Sequence, residues 1–416
     1  AGQNSAPVIT LDSITIRIRE KFILAGTSWV LKKNHHWAII GPNGAGKSSF
    51  VRALAGELPV VQGKITCHAG KSYRRNICYV SFELQQRLIA SEEARDESRY
   101  FSGSLNDITT ARDLICGTRP DIDSRLLQSD PIVAQLNIVH LLDRGVRFLS
   151  TGEMRKIMIA RALIKSPHLL ILDEPFDGLD AATSLQLAEM INDLMNTDRQ
   201  TILVTHRLDE MPPNITHVMG LKAGTVYFQG RRDRMLRDTK LQSLYDQSRS
   251  RHDLIPIIPE ATTSASLEAL PVLVEMKNTT VRYKDVIVLK GLNWKMKSGE
   301  NWAIAGPNGA GKTTLLSLIS GDNPQAYANE IYLFGQRRGT GESIWEIKQK
   351  IGLISSEFQI RYRKTLKAFD VVLSGFFDSV GLYRRCTAEQ RRITKQWIEF
   401  LQLADRSDKL FNQLSY

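Results

Sequence analysis

The octapeptide Gly41-Pro42-Asn43-Gly44-Ala45-Gly46-Lys47-Ser48 returns, with one hydroxyl residue exchanged for another, as Gly306-Pro307-Asn308-Gly309-Ala310-Gly311-Lys312-Thr313, each position 265 residues after its counterpart (312 − 47). A Gly-x-x-x-x-Gly-Lys-Ser/Thr stretch requires a strand before it and a helix after it. Its glycines turn successive backbone N–H groups toward one point, and the helix aims its positive end at that same point. The duplication predicts two α/β units, each built around one phosphate-binding loop. Leu149-Ser150 and Leu414-Ser415 keep the same offset, so the chain is expected to end inside its second copy.

The flanking patterns suit both loops. Apolar residues alternate at Ile14, Ile16 and Ile18 within Pro7–Ile18, and residues 28–30 and 36–40 read as further strands. Residues 49–55 carry helix formers and stop at Gly56; in the second copy 301–305 read as strand and 314–320 as helix, stopping at Gly321. Residues 85–148 turn mainly helical, best at 111–115 and 131–142, and mark an inserted helical subdomain spanning about 85–165. Residues 169–172 and 201–205 read as strands. A polar, basic, helix-compatible stretch at 231–251 leads into Pro256, Pro259 and Thr262-Thr263-Ser264-Ala265-Ser266 before strand patterning restarts near Val272. The expected division is a first domain at 1–240, a linker at 241–270 and a second, incomplete domain at 271–416.

Composition excludes several classes. With 416 residues the chain can fill two or three cores. No apolar run approaches the roughly 18 to 20 residues needed to cross a bilayer, and residues 1–10 lack a charged-then-apolar leader. A soluble, cytoplasmic chain is expected. Cys67, Cys78, Cys116 and Cys386 lack metal or disulfide spacing and read as ordinary thiols. The net charge of +11 suits nucleic acid, ribosomal or anionic lipid surfaces, but it bears on association and not on fold.

In each loop the lysine, Lys47 or Lys312, is placed to reach the β- and γ-phosphates; Ser48 and Thr313 offer a hydroxyl to Mg²⁺, and Ser49 and Thr314 a further donor. Leu169-Leu170-Ile171-Leu172-Asp173-Glu174 is an apolar strand ending in two acids, which puts Asp173 where it can hold Mg²⁺ and Glu174 where it can polarise water. His206, closing the 201–205 strand, is the candidate sensor of the γ-phosphate. Ser150-Thr151-Gly152-Glu153 fits a capping box for a helix that Pro167 closes. Gly152 in the first turn also leaves backbone donors for a phosphate from another domain.

These motifs in this order, with Asp177-Gly178-Leu179-Asp180 after the acids, resemble the ABC ATPase cassette. The spelling of residues 148–156, of Pro175-Phe176-Asp177-Gly178-Leu179-Asp180, of Thr340-Gly341-Glu342-Ser343-Ile344-Trp345 and of Leu373-Ser374-Gly375-Phe376-Phe377-Asp378-Ser379 is similar to the twin-cassette ModF type, also labelled a photorepair or molybdenum-transport ATP-binding protein. That resemblance spans nearly the whole chain. It implies two tandem P-loop NTPase domains of ABC type, each with a RecA-like α/β core, an antiparallel β subdomain and a helical subdomain. It implies ATP sandwiched head to tail, the loop residues Gly41, Asn43, Gly44, Gly46, Lys47, Ser48 and Ser49, or Gly306, Asn308, Gly309, Gly311, Lys312, Thr313 and Thr314, facing the other cassette's signature. Ser150 and Gly152 would serve Lys312 and Thr313; Lys47, Ser48, Asp173, Glu174 and His206 would face a second signature of which Leu414, Ser415 and Tyr416 are present. Tyr283 fits the adenine-stacking aromatic, whereas Ile18 occupies its place in the first copy. The usual glutamine is replaced by Ser81-Phe82-Glu83 and Ser355-Ser356-Glu357, with Glu83 or Gln85 as substitutes.

The leading expectation is an ATPase using ATP and Mg²⁺, with Glu174, His206 and Lys47 catalytic, whose two cassettes associate and separate. A transport role requires a separate membrane permease, which would hold the chain peripherally at the inner face of the plasma membrane. The alternative is a soluble ATPase acting on nucleic acid or ribosomes, toward which Arg231-Arg232-Asp233-Arg234 and Arg361-Tyr362-Arg363-Lys364 point. A third class binds ATP without turnover.

Overall fold

The computed structural model describes residues 6–18, 21–70, 76–81, 85, 88, 109–117, 126–245, 270–283, 286–354, 366–377, 379, 381–411 and 414. The chain divides into two compact units, residues 1–250 and 251–416.

In the first unit, strands β1 (Pro7–Ile18), β2 (Lys21–Lys32) and β3 (Trp37–Ile40) lead to helix α1 (Lys47–Ala55). Strands β4 (Val60–Cys67) and β5 (Ile77–Ser81) follow, then α2 (Ala111–Cys116), α3 (Pro131–Gln135) and α4 (Thr151–Leu163). The remainder runs β6 (Leu169–Asp173), α5 (Ala181–Met195), β7 (Gln200–Thr205), β8 (His217–Lys222), β9 (Thr225–Arg231), α6 (Arg232–Met235) and α7 (Thr239–Tyr245). An antiparallel sheet has the order β2-β1-β4, and a six-stranded sheet the order β5-β6-β7-β3-β8-β9, in which every pairing is parallel except β8 with β9.

The strand before the loop is central because its sequence is apolar on both faces. All four residues of β3 are buried, as a parallel strand covered on both sides requires. Its side chains alternate: Ala38 and Ile40 join Leu170, Leu172 and Leu203 in one core with α4 and α5, while Trp37 and Ile39 join Ile171, Ile202 and Val204 in a second core with α1 and the antiparallel sheet. Two cores thus grip one sheet, and a substitution such as Ile39→Ala opens a cavity worth about 2–5 kcal/mol.

The second unit holds β10 (Val272–Tyr283), β11 (Val286–Lys297), α8 (Lys312–Ile319), β12 (Glu330–Leu333), β13 (Gln336–Arg337), α9 (Ile344–Lys348), α10 (Ala368–Ser374) and α11 (Ala388–Phe400). Its sheet order is β11-β10-β12-β13. A buried ion pair pins the loop after β13: Arg338 Nη1 lies 2.6 Å from Glu342 Oε1, and that carboxylate also accepts from the Gly339 and Thr340 N–H groups. Ser343 and Glu346 then form a capping box for α9.

Three expectations are corrected. Residues 301–305 form no strand and are mostly exposed; the equivalent β3 is stabilised between β7 and β8, and no parallel neighbour flanks 301–305 among the described residues. Residues 131–142 are not one helix, because Asn137 takes a left-handed φ of 52° that separates α3 from the 3₁₀ turn Val139–Leu141. Ile18 does not continue the buried alternation of Ile14 and Ile16 but is 37% exposed at the end of β1. Part of the expected linker, up to Tyr245, is the helix α7; 246–269 lie outside the described residues, as do Glu83, 355–365, Asp378, Ser415 and Tyr416. The four cysteines form no disulfide among the described residues.

Candidate active site

The parallel pairing sets where the site lies. Register places Ile40 beside Thr205, Ser81 beside Asp173 and Asp173 beside Val204, so β3, β5, β6 and β7 end together. Such a carboxy-terminal edge is where open α/β sheets receive ligands. Gly41 leaves β3 with φ 150°, and a Cβ there would stand 2.2 Å from the Leu221 carbonyl oxygen of β8. No other residue lets the chain pass. The Gly224 N–H donates to the Ala45 carbonyl at 3.1 Å, and Leu24 N–H to the Gly224 carbonyl at 2.6 Å, which fasten the loop to β2 and to the β8–β9 turn. Gly46, at φ 98°, ends the loop with no side chain capping α1. The first-turn N–H groups of Lys47, Ser48 and Ser49 therefore have no intrahelical acceptor, and Asn43, Gly44 and Ser48 are exposed beside them. This is an anion cradle.

Lys47, 6% exposed, donates from Nζ to the Gly41 carbonyl at 2.9 Å and the Pro42 carbonyl at 3.3 Å, and stands 3.3 Å from Glu174 Oε1. Glu174 follows β6 with a left-handed φ of 49°, its N–H held by the Val204 carbonyl at 2.9 Å. That conformation costs on the order of 1–2 kcal/mol for a residue with a Cβ. It turns the carboxylate back across the strand ends, where His206 Nδ1 lies 3.0 Å from Glu174 Oε2 and 3.8 Å from Asp177 Oδ1. Ligand atoms of Glu174, Asp177 and His206 lie within 4.8 Å of one another.

Asp173 is 4% exposed. Its Oδ2 accepts from the Tyr79 hydroxyl at 2.8 Å, while its Oδ1 is buried without a hydrogen-bond partner. Burial pushes this carboxyl up, and the Tyr79 hydroxyl draws it part of the way back. Burial likewise raises Asp177, with Glu174 adding to the rise. A buried oxygen with no partner costs about 1–3 kcal/mol, and a cation held between it and the Ser48 hydroxyl would remove that cost. The residues therefore fit Mg²⁺, held by Ser48 and Asp173, and the cradle of Gly41 to Ser49 fits the phosphates of ATP.

Sequence reasoning missed three contributors. Tyr79 was invisible because its partner lies on the neighbouring strand, 94 residues away. Arg155, 2% exposed, donates from Nη2 to the Asp177 carbonyl at 3.0 Å; burial lowers it to about 10 against the pull of Asp177, Asp173 and Glu174. It fixes a cation behind the three acids, and an arginine between Met154 and Ile157 on a buried helix was its available signal. Asp177, read only as part of a motif, stands against His206.

The remaining expected residues are placed as follows. Ser150 caps α4: its Oγ accepts from Glu153 N–H at 3.3 Å and its own N–H donates to Glu153 Oε2 at 2.7 Å. Gly152 is packed against α5, where a Cβ would meet Thr183 Cγ2 at 2.6 Å. The glycine is thus required by packing as well as by any ligand. In the second unit Lys312 Nζ donates to Gly306 and Pro307 carbonyls, both at 2.7 Å, repeating the Lys47 geometry. Gly309 and Gly311 have φ of 82° and 89°, and Thr313 is exposed beside half-buried Thr314. No carboxylate pairs with Lys312 among the described residues. The Tyr283 hydroxyl accepts from Asn323 Nδ2 at 2.9 Å and its ring is half exposed. Gln85 is buried with its Oε1 lacking a partner.

Comparison with known proteins agrees with this geometry. Residues 24–177 and 289–416 match the family described as ABC transporter. The ABC transporter ATP-binding protein ModF of Escherichia coli (strain K12) is 37% identical over 404 residues, spanning 97% of this chain and 81% of that protein. An uncharacterized ABC transporter ATP-binding protein of Schizosaccharomyces pombe (strain 972 / ATCC 24843) is 30% identical over 412 residues, spanning 94% and 80%. The uncharacterized ABC transporter ATP-binding protein YlmA of Bacillus subtilis (strain 168) is 30% identical over 249 residues, spanning 58% of this chain and 91% of its own.

Proposed function

The chain belongs to the ABC ATPase family, and from that premise we propose that its first unit is a hydrolytic cassette whose working residues are Lys47, Ser48, Asp173, Glu174 and His206. The observation that carries this reading is the convergence, at one sheet edge, of the anion cradle with Lys47, Glu174 and His206, each within 3.3 Å of the next. ATP is the substrate. Lys47, now satisfied by loop carbonyls, moves its Nζ onto the phosphates when these arrive. Glu174 releases Lys47, takes a proton from the attacking water and so directs it at the γ-phosphorus; His206 holds the water and the carboxylate in line. The bond to the β,γ-bridging oxygen breaks, leaving ADP and phosphate. Ser48 and Asp173 would hold Mg²⁺, which when bound would supply charge neutralisation to the phosphates. Lys47→Ala should abolish ATP binding at this unit, as read by nucleotide cross-linking; unchanged labelling of residues 1–250 would refute the assignment.

Ser150 and Gly152 serve the nucleotide of an opposing cassette, as pairing is typical of ABC ATPases. The transporter wording of the relatives' names supports energising a separate permease, including the molybdate-type role that the sequence resemblance suggested. No helix among the described residues is long and apolar enough to cross a membrane, so a permease would be a separate chain or segment. The charge of +11 supports the second reading, an ATPase acting on nucleic acid or ribosomes. Trapping Glu174→Gln with ATP and identifying what co-purifies decides between them: a permease supports the first, ribosomes or nucleic acid alone the second.

A further inference from the structure

At the opposite edge of the six-stranded sheet, away from the phosphate loop, the ends of β2, β3, β8 and β9 meet around a recess of about 640 Å³. Its lining includes Lys32, His35, His217, Arg231 and Arg232, with Asp233 the only carboxylate among the described lining residues. The frame is rigid. The N–H groups of Thr216 and His217 both donate to the His36 carbonyl at 3.0 Å, and the Thr216 hydroxyl accepts from the His36 N–H at 3.0 Å while donating to the His36 carbonyl at 2.9 Å. With that hydroxyl hydrogen committed, His217 donates from Nδ1, 2.8 Å away, which leaves Nε2 as its proton-accepting nitrogen. His217 stacks on His35 at 4.0 Å and on Trp37 at 4.9 Å. Strand register sets Arg231 directly opposite His217, and Arg232 is pinned by donating to the Pro212 and Pro213 carbonyls.

Two stacked imidazoles beside Lys32, Arg231 and the pinned Arg232, with one acid, form a concave region of positive potential. The ring centroids lie 4.0 Å apart with 20° between the planes; His217 Nδ1 is engaged by the Thr216 hydroxyl and His35 Nδ1 is buried without a partner, which leaves the Nε2 atoms of the two rings to meet an anion. The volume falls in the range of small-molecule sites. We propose that this recess binds a small phosphorylated anion, held by Lys32 and Arg231 and by the imidazoles of His35 and His217. Such a ligand is separate from the hydrolysed ATP, since the sheet lies between the two edges. Burial first, then His35, Arg231 and Lys32, lowers His217 to about 4, and burial and Lys32 lower His35 as well. A bound polyanion offsets the cationic contribution, so binding draws protons onto the imidazoles, which become donors.

The test follows the ring resonances of His217 by NMR in the full chain, with pyrophosphate as the probe and His217→Gln to assign them. The phosphate loops also take pyrophosphate, but the readout is local to this edge. Pyrophosphate should move the His217 titration upward and saturate, and Arg231→Glu, on an exposed strand end, should weaken that response about tenfold or more without changing the melting temperature. The same movement in sodium chloride of equal ionic strength, or an undiminished response in Arg231→Glu, overturns the proposal. Binding of an oligonucleotide at this edge with no response to pyrophosphate overturns it too.

Discussion

At single positions the fold leaves little latitude. Gly41 must combine φ 150° with passage beside the Leu221 carbonyl, so Gly41→Ala should destabilise the first unit by about 1–3 kcal/mol through overpacking and displace the loop; urea unfolding together with nucleotide affinity would register both. Gly152→Ala should clash with Thr183 Cγ2, and adding Thr183→Ser, which removes that methyl, should restore stability; failure of the rescue would locate the strain elsewhere. His217 titrates from about 4 in the fold against an ordinary value near 6.5. Its depressed value means that the unfolded chain takes the proton more readily. The stability it contributes is therefore complete above about pH 6.5 and is lost as pH falls toward 4; His217→Gln should flatten that acid limb of the unfolding profile.

Among the elements, α4 shows how local chemistry sets a boundary. Ser150 and Glu153 exchange both capping bonds, so Ser150→Ala should cost about 1 kcal/mol. Partial burial alone would raise Glu153; the Ser150 N–H and hydroxyl, with Arg144, outweigh it and hold the carboxyl below its ordinary value. Its capping contribution is thus present above that ordinary value and fades as pH falls through the depressed one, which helicity of the isolated unit against pH would show. This cap was legible in the sequence, as were the strand-loop-helix order around Lys47 and the acids after Leu172, because each is written within a few consecutive residues. What could not be read depends on distant neighbours. Residues 301–305 carry a strand pattern, yet a central strand exists only with strands on both sides. Asn137 breaks residues 131–142 by a backbone choice that periodicity does not encode. Tyr79, Arg155 and the buried Arg338–Glu342 pair acquire their roles only once the sheet or turn brings their partners near.

Over the whole molecule, two loops of nearly identical sequence occupy different surroundings. Both lysines are held by loop carbonyls, but Lys47 also stands against Glu174, which His206 contacts in turn, whereas no carboxylate pairs with Lys312 among the described residues. The asymmetry predicts that Lys47→Ala removes turnover in unit 1 and that Lys312→Ala leaves unit 1 able to bind nucleotide, which labelling of each unit would resolve. The proposed mechanism assigns the proton transfer to Glu174, beside a loop that fits the phosphates of ATP and an Asp173 that fits Mg²⁺. The most direct measurement is steady-state phosphate release, with ATP affinity measured alongside, for wild type and Glu174→Gln. The account predicts a fall in turnover of about 10²–10⁴-fold, the usual worth of a positioned acid–base group, with ATP still bound. Turnover within a factor of about two of wild type, a difference below 1 kcal/mol, would contradict it.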